Sequence, residues 1–184
     1  MALFGAGRIG QVHAGNITAH PGSEIAYVID PAEGAAASLA ARVGAQACDA
    51  EAAFAARDVD AVVICSATAT HAELIERGLK GGFAVFCEKP IDLSLARVDA
   101  LLASVADCEA PLFVAFNRRF DPAIAAMAER IAAGEIGEVE LVSIVSKDPE
   151  APPLAYLQGS GGLFRDMTIH DLDMARFLLG EEPT

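Results

Sequence analysis

A chain of 184 residues can hold one large domain, or one domain and part of another, and its 53% hydrophobic residues suffice for a packed core. The formal net charge of -13 argues against a nucleic-acid or anionic-membrane surface, since either would need clustered Lys and Arg. No apolar run reaches about 18 residues and no basic-then-apolar leader occurs, so neither a membrane span nor a signal peptide is expected.

The apolar run Ala2-Leu3-Phe4 predicts a short first strand, and the glycine-rich turn Gly5-Ala6-Gly7-Arg8-Ile9-Gly10 follows it directly. Ile9, Val12 and Ile17 then recur at helical spacing, and a second apolar strand, Ile25 to Ile29, ends in the carboxylate of Asp30. Strand, G-x-G-x-x-G turn, helix, strand and an acid about 20 residues beyond the turn make the dinucleotide-binding fingerprint. Gly5 permits the tight turn, Gly7 removes a Cβ that would hold a pyrophosphate off the backbone, and Gly10 lets helix and strand approach closely. The helix N-terminus offers N–H groups and a positive dipole end to the diphosphate. Asp30 argues for NAD over NADP, because a carboxylate accepts from both ribose hydroxyls and repels a 2′-phosphate, while Pro31 supplies no cation. The competing reading is a glycine-rich turn that binds nothing.

Alternation of helix and strand continues downstream. An alanine-rich helix is predicted over 35–43 with Gly44 at its C-terminal end, a short strand over 45–48 and a helix over 50–56. Ala61 to Cys65 is a continuous apolar run of the kind buried on both faces of a parallel sheet. Thr70-His71-Ala72-Glu73 matches a capping box, which predicts a helix from there to about Gly81-Gly82, with His71 structural. Ala84 to Cys87 reads as a buried strand, the spacing of Leu95, Val98, Leu102 and Val105 as a helix, and 111–116 as a sixth strand. The fold expected for residues 1–116 is therefore α/β, a doubly wound parallel Rossmann sheet. From residue 117 a polar, basic joint leads to a helix over 123–133, a strand over 138–146, a Pro- and Gly-containing loop over 147–162 and a last helix ending at Leu179-Gly180. Residues 117–184 are expected to begin an incomplete second α/β domain, because one strand and two helices cannot make a sheet with a buried face. The chain is thus expected to be an N-terminal portion of a longer protein, with Val139, Leu141, Val142, Ile144 and Val145 beside missing strands. Cys48, Cys65, Cys87 and Cys108 show no C-x-x-C spacing, and Cys65 and Cys87 lie in apolar runs, which suits a cytoplasmic protein with reduced thiols.

Three further features could carry chemistry. Glu88-Lys89-Pro90 follows the fifth strand, where ligands of open α/β sheets bind, and Pro90 fixes the backbone; the alternative is a solvated ion pair. In Gly161-Gly162-Leu163-Phe164-Arg165-Asp166-Met167-Thr168-Ile169-His170-Asp171-Leu172-Asp173, a helix from about Gly162 would put Asp166, His170 and Asp173 on one face. It would set Leu163, Met167, Met174 and Phe177 on an apolar stripe. Histidine as a residue type can accept a proton at neutral pH, and a carboxylate one turn away can orient it; a surface ion pair or half of a metal site competes with this reading. No metal is expected, because His13, His20 and His71 offer no obvious further ligand, and His13 and His20 read as surface or packing residues. Asn117-Arg118-Arg119-Phe120 and Lys147-Asp148-Pro149 could line a crevice for a polyhydroxylated ligand, or equally form a salt-bridge zone.

Taken together, the glycine turn with His13-Ala14, Glu88-Lys89-Pro90, Asn117-Arg118-Arg119-Phe120-Asp121 and the Gly161-to-Asp173 segment resemble the Gfo/Idh/MocA oxidoreductases, and within them the bacterial inositol 2-dehydrogenases. The resemblance implies a catalytic Lys89, Asp166 and His170, with Arg119 and Asp148 near a small-molecule polyol substrate. It implies NAD held by Gly5, Ala6, Gly7, Arg8, Ile9, Gly10, Asp30, Ser66 and Glu88, and a homo-oligomer when full length. The reaction it implies is oxidation of a cyclic polyol, with myo-inositol leading, His170 as base and Lys89 beside the developing alkoxide. The alternatives are a related sugar dehydrogenase, a non-catalytic NAD-binding protein or an inactive fragment.

Overall fold

The structure is a computed structural model that describes residues 1–148 and 150–182; Pro149, Pro183 and Thr184 lie outside the described residues. It divides into two compact units, residues 1–115 and 116–184.

In the first unit, β1 (Ala2–Phe4), β2 (Tyr27–Ile29), β3 (Gln46–Ala47), β4 (Ala61–Ile64), β5 (Ala84–Cys87) and β6 (Leu112–Val114) form one parallel sheet in the order β3-β2-β1-β4-β5-β6. The strand order reverses direction between β1 and β4, and the crevice beyond their carboxyl ends is where such sheets take ligands. Between the strands run α1 (Arg8–Ala19), α2 (Glu33–Val43), α3 (Ala50–Ala55), α4 (His71–Lys80) and α5 (Leu95–Ser104). Side chains alternate across the sheet: Leu3, Val28 and Val63 join Ala14, Ala36 and Leu39 in one core, while Phe4, Val62, Ile64 and Val85 join Ile75 and Leu79 in the other. Burial on both faces is why these strands read as unbroken apolar runs. The Rossmann reading of this unit holds, with β2, β3 and β6 shorter than expected.

Two local expectations fail here. The capping box at Thr70 does not form: Thr68–Thr70 is a 3-10 turn, and the Thr70 hydroxyl donates back to the Ala67 carbonyl and meets Ser66 Oγ at 2.6 Å. On α5 Leu101 is the buried position, and Val105 just past its end is buried as expected, whereas Leu95 and Leu102 are exposed, so the expected stripe holds only in part.

The second unit contains a 3-10 turn (Asn117–Phe120), α6 (Pro122–Ala132), α7 (Leu154–Gly159), a π-helical turn (Phe164–Thr168) and α8 (Ile169–Leu179). Asp121 caps α6 by accepting from Ala123 and Ile124, and Gly180 ends α8 in the left-handed conformation. The strand expected over 138–146 is absent, and no strand forms among the described residues of this unit. Leu141 and Val145 are 85% and 78% exposed. A strand exists only through its ladder, and here an apolar segment rich in β-branched residues has no neighbour to pair with among the described residues. A short helix, α7, occupies the expected loop instead, since Pro153 suits a helix start and Leu154 to Gln158 are mostly good helix formers. On the last helix Met174 and Leu178 are buried whereas Leu163 is 64% exposed, so the expected stripe holds only in part. Among the described residues, no helix is long and apolar enough to cross a membrane.

Candidate active site

The turn after β1 is built by its glycines. Gly5 has φ +101 and its N–H donates to the Ile29 carbonyl at 2.8 Å; a Cβ there would lie 2.5 Å from the Cys65 carbonyl oxygen and 2.7 Å from Ser66 N. A Cβ on Gly10 would collide with the Gly5 carbonyl oxygen, so this glycine allows α1 to start against the turn. A Cβ on Gly7 would meet nothing in the protein, so this face of the turn is open to a ligand. No side chain caps α1, whose first N–H groups and dipole end therefore present an anion site flanked by Ala6, Arg8 and Ile9. We expect Gly10→Ala to weaken NADH binding by about tenfold or more, because the clash is with backbone that must shift. Fluorescence titration checks this, and unchanged affinity would contradict it.

Asp30 completes the cradle. Its Oδ2 accepts from the Ala6 N–H inside the glycine turn and its Oδ1 from the Ala32 N–H, each at 2.8 Å. A carboxylate has about four acceptor positions, so one per oxygen remains for a pair of ribose hydroxyls. The strand ends supply the rest. Ser66 follows β4, its hydroxyl paired with Thr70, and Glu88 follows β5, its N–H donating to the Ile64 carbonyl at 2.9 Å. Glu88 Oε1 lies 2.8 Å from His13 Nε2, and the His13 ring meets Phe86 edge-on at 4.9 Å. His13 is therefore more than the surface or packing residue expected of it: it ties α1 to the end of β5 next to Lys89. The Lys89-Pro90 peptide is cis. Burial, then the Glu88 carboxylate, pushes the Cys65 thiol up to about 12, and burial raises Cys87 further. Both thiols are thus inert core groups.

In the second unit the arginines of the joint form ion pairs. Arg118 reaches Asp171 and the Ser146 hydroxyl, and Arg119 grips Asp173 through Nε and Nη2, the Nε contact being 2.8 Å. Asp173 is buried and Arg119 also lies 5.3 Å over the Phe177 ring. The bond to Asp173 raises the Arg119 guanidinium above its ordinary range. Asp173 is therefore occupied by Arg119 rather than presented on a catalytic face. Asp166 stands in the π turn, where the wider winding carries functional groups more often than an ordinary turn, and its Oδ1 accepts from the Tyr156 hydroxyl at 2.7 Å. Asp148 and Asp166 share a cavity of about 280 Å³ with Pro152, Leu157, Ser160 and Met167. His170, in the first turn of α8, packs edge-on to Phe116 at 6.2 Å between centroids. Arg119 lines a different cavity, with Arg176 and Phe177.

The Oxidoreductase family, NAD-binding Rossmann fold, matches residues 1–116, and the GFO/IDH/MocA C-terminal domain matches residues 124–184. The chain belongs to the Gfo/Idh/MocA oxidoreductases. It is 55% identical over 181 residues to inositol 2-dehydrogenase of Rhizobium meliloti (strain 1021), covering 98% of this chain and 55% of that protein. It is 39% identical to myo-inositol 2-dehydrogenase of Thermotoga maritima, covering 99% of this chain and 55% of that protein. Among solved structures, a myo-inositol dehydrogenase from Corynebacterium glutamicum superposes with a TM-score of 0.92 at 49% identity, over 96% of this chain and 54% of that one. The scyllo-inositol dehydrogenase of Lactobacillus casei with bound NAD(H) and scyllo-inositol gives 0.84 at 28% identity, over 98% and 56%. The chain spans about half the length of the relatives it matches.

For this Gfo/Idh/MocA chain the cofactor is NAD, and the cradle fits it: an open face at Gly7, an uncapped helix start and an acid locked to the turn. Sequence reasoning missed two partners. Tyr156 escaped because its segment, following Pro152-Pro153, reads as loop, and His13 because its partner Glu88 is 75 residues away.

Proposed function

We propose that this chain carries the cofactor and proton-transfer groups of an NAD-dependent dehydrogenase acting on a cyclic polyol, with myo-inositol oxidised to its 2-keto form. The observation that carries the reading is the cavity shared by Asp148 and Asp166, in the segment that leads into His170, in a chain whose first unit holds an NAD cradle. Named relatives acting on inositols support the substrate class. NAD, when bound, supplies a nicotinamide C4 that accepts the hydride from the carbinol carbon. His170 takes the hydroxyl proton, and Asp166, held by Tyr156, orients the imidazole and favours the imidazolium formed. Lys89 supplies the cation that stabilises the developing alkoxide. Asp148 accepts from further substrate hydroxyls, and Arg119 contributes donors beyond the two committed to Asp173. Residues 1–116 form the NAD-binding domain, and residues 117–184 begin a substrate and oligomerisation domain of a cytoplasmic homo-oligomer.

Mixing the protein with NAD and myo-inositol, scyllo-inositol or glucose tests this. We expect NADH to form fastest with myo-inositol; no reduction with any of the three would reject it. Asp30 makes a second expectation. Asp30→Ala removes the charge that repels a 2′-phosphate and also releases Ala6. NAD affinity should fall while NADP affinity holds or rises, narrowing the preference by about tenfold or more. An unaltered preference in competition binding would contradict that role.

A further inference from the structure

His71 opens α4 and is 1% exposed. Its Nδ1 lies 2.8 Å from the carbonyl oxygen of Pro90 and its Nε2 3.1 Å from that of Ser66. These carbonyls belong to the loops after β5 and β4, the first carrying Lys89 and the second leaning on the glycine turn, where Ser66 N lies 2.7 Å from the position a Gly5 Cβ would take. The last rung between these neighbouring chains is the Glu88 N–H to the Ile64 carbonyl; beyond it they part into loops, and the His71 ring joins them again. Carbonyl oxygens only accept, so each neutral tautomer serves one loop and the doubly protonated ring serves both. A histidine that merely filled core volume would not need both nitrogens directed at backbone acceptors from separate loops.

We propose that His71 is a positioning residue with two separable tasks: through Nε2 it sets the Ser66 loop against the dinucleotide, and through Nδ1 it sets the Lys89 loop against the reacting alcohol. The second task rests on the proposed role of Lys89; the first requires only the NAD cradle. Asparagine places an amide nitrogen near the Nδ1 position and glutamine near the Nε2 position, so the tethers can be removed singly. In His71→Asn the Pro90 link is kept and the Ser66 link lost, and NADH should bind about tenfold more weakly with kcat within about twofold of wild type. In His71→Gln the reverse holds, with NADH affinity within about twofold and kcat lowered about tenfold. A structural role alone would lower Tm in both variants without this crossed pattern.

Equal NADH affinities in the two variants, the reverse order, or failure of both to fold would overturn the proposal. The fluorescence titration stands without turnover. If the wild type does not oxidise a polyol, the reading of the substrate fails while the NADH contrast still decides whether His71 positions the Ser66 loop.

Discussion

Replacing His170 by alanine should lower kcat for polyol oxidation by about 10²–10⁴-fold, the usual worth of a positioned general base. The reasoning rests on where charge moves. An alcohol gives up hydride readily only as its proton leaves, and the base proposed to receive it is His170, at the start of α8 with Asp166 in the preceding π turn. The glycine turn, Asp30 and Ser66 all belong to the other unit, so NADH affinity should stay within about twofold. Equal losses of NADH affinity and turnover would show that His170 supports binding rather than proton transfer.

Arg119→Ala should destabilise the second unit by about 3 kcal/mol, because it leaves the Asp173 carboxylate, 4% exposed, without its bidentate partner. The lower end of the range for buried pairs applies, since Arg119 itself keeps about a third of its side chain in solvent. Its burial, alongside that of Met174 and Leu178 on the same helix, leaves Asp173 little access to water in compensation. Arg119→Ala with Asp173→Leu should recover most of the loss, since no charge then remains buried. Urea unfolding followed by circular dichroism checks both variants. A loss below about 1 kcal/mol for the single variant would make this an ordinary surface pair.

Several parts of this molecule were legible from residue order because their causes are local. Ala61 to Ile64 and Ala84 to Cys87 are apolar throughout because both faces of a parallel strand are covered, and Gly5, Gly7 and Gly10 are spaced by the turn itself. Asp30 was legible as an acid at a strand end, although its hold on the Ala6 N–H, which makes it part of the turn, was not. What stayed hidden depends on distant partners. The hydroxyl of Thr70 abandons its cap for Ala67 and Ser66 because the chain leaving β4 folds back in a 3-10 turn. The β-branched and apolar residues from Val139 to Val145 state a capacity to pair and say nothing of whether a neighbour is there. The pairing of Arg119 with Asp173 converts an expected catalytic-face carboxylate into a structural one, across 54 residues of chain.

The most direct test is oxidation of myo-inositol carrying deuterium at carbon 2, with NAD as acceptor and the product nucleotide analysed by mass spectrometry. Direct hydride transfer from carbon 2 of the polyol to the nicotinamide predicts that the NADH formed carries the deuterium and that turnover slows relative to unlabelled substrate. Unlabelled NADH, or none, would contradict it.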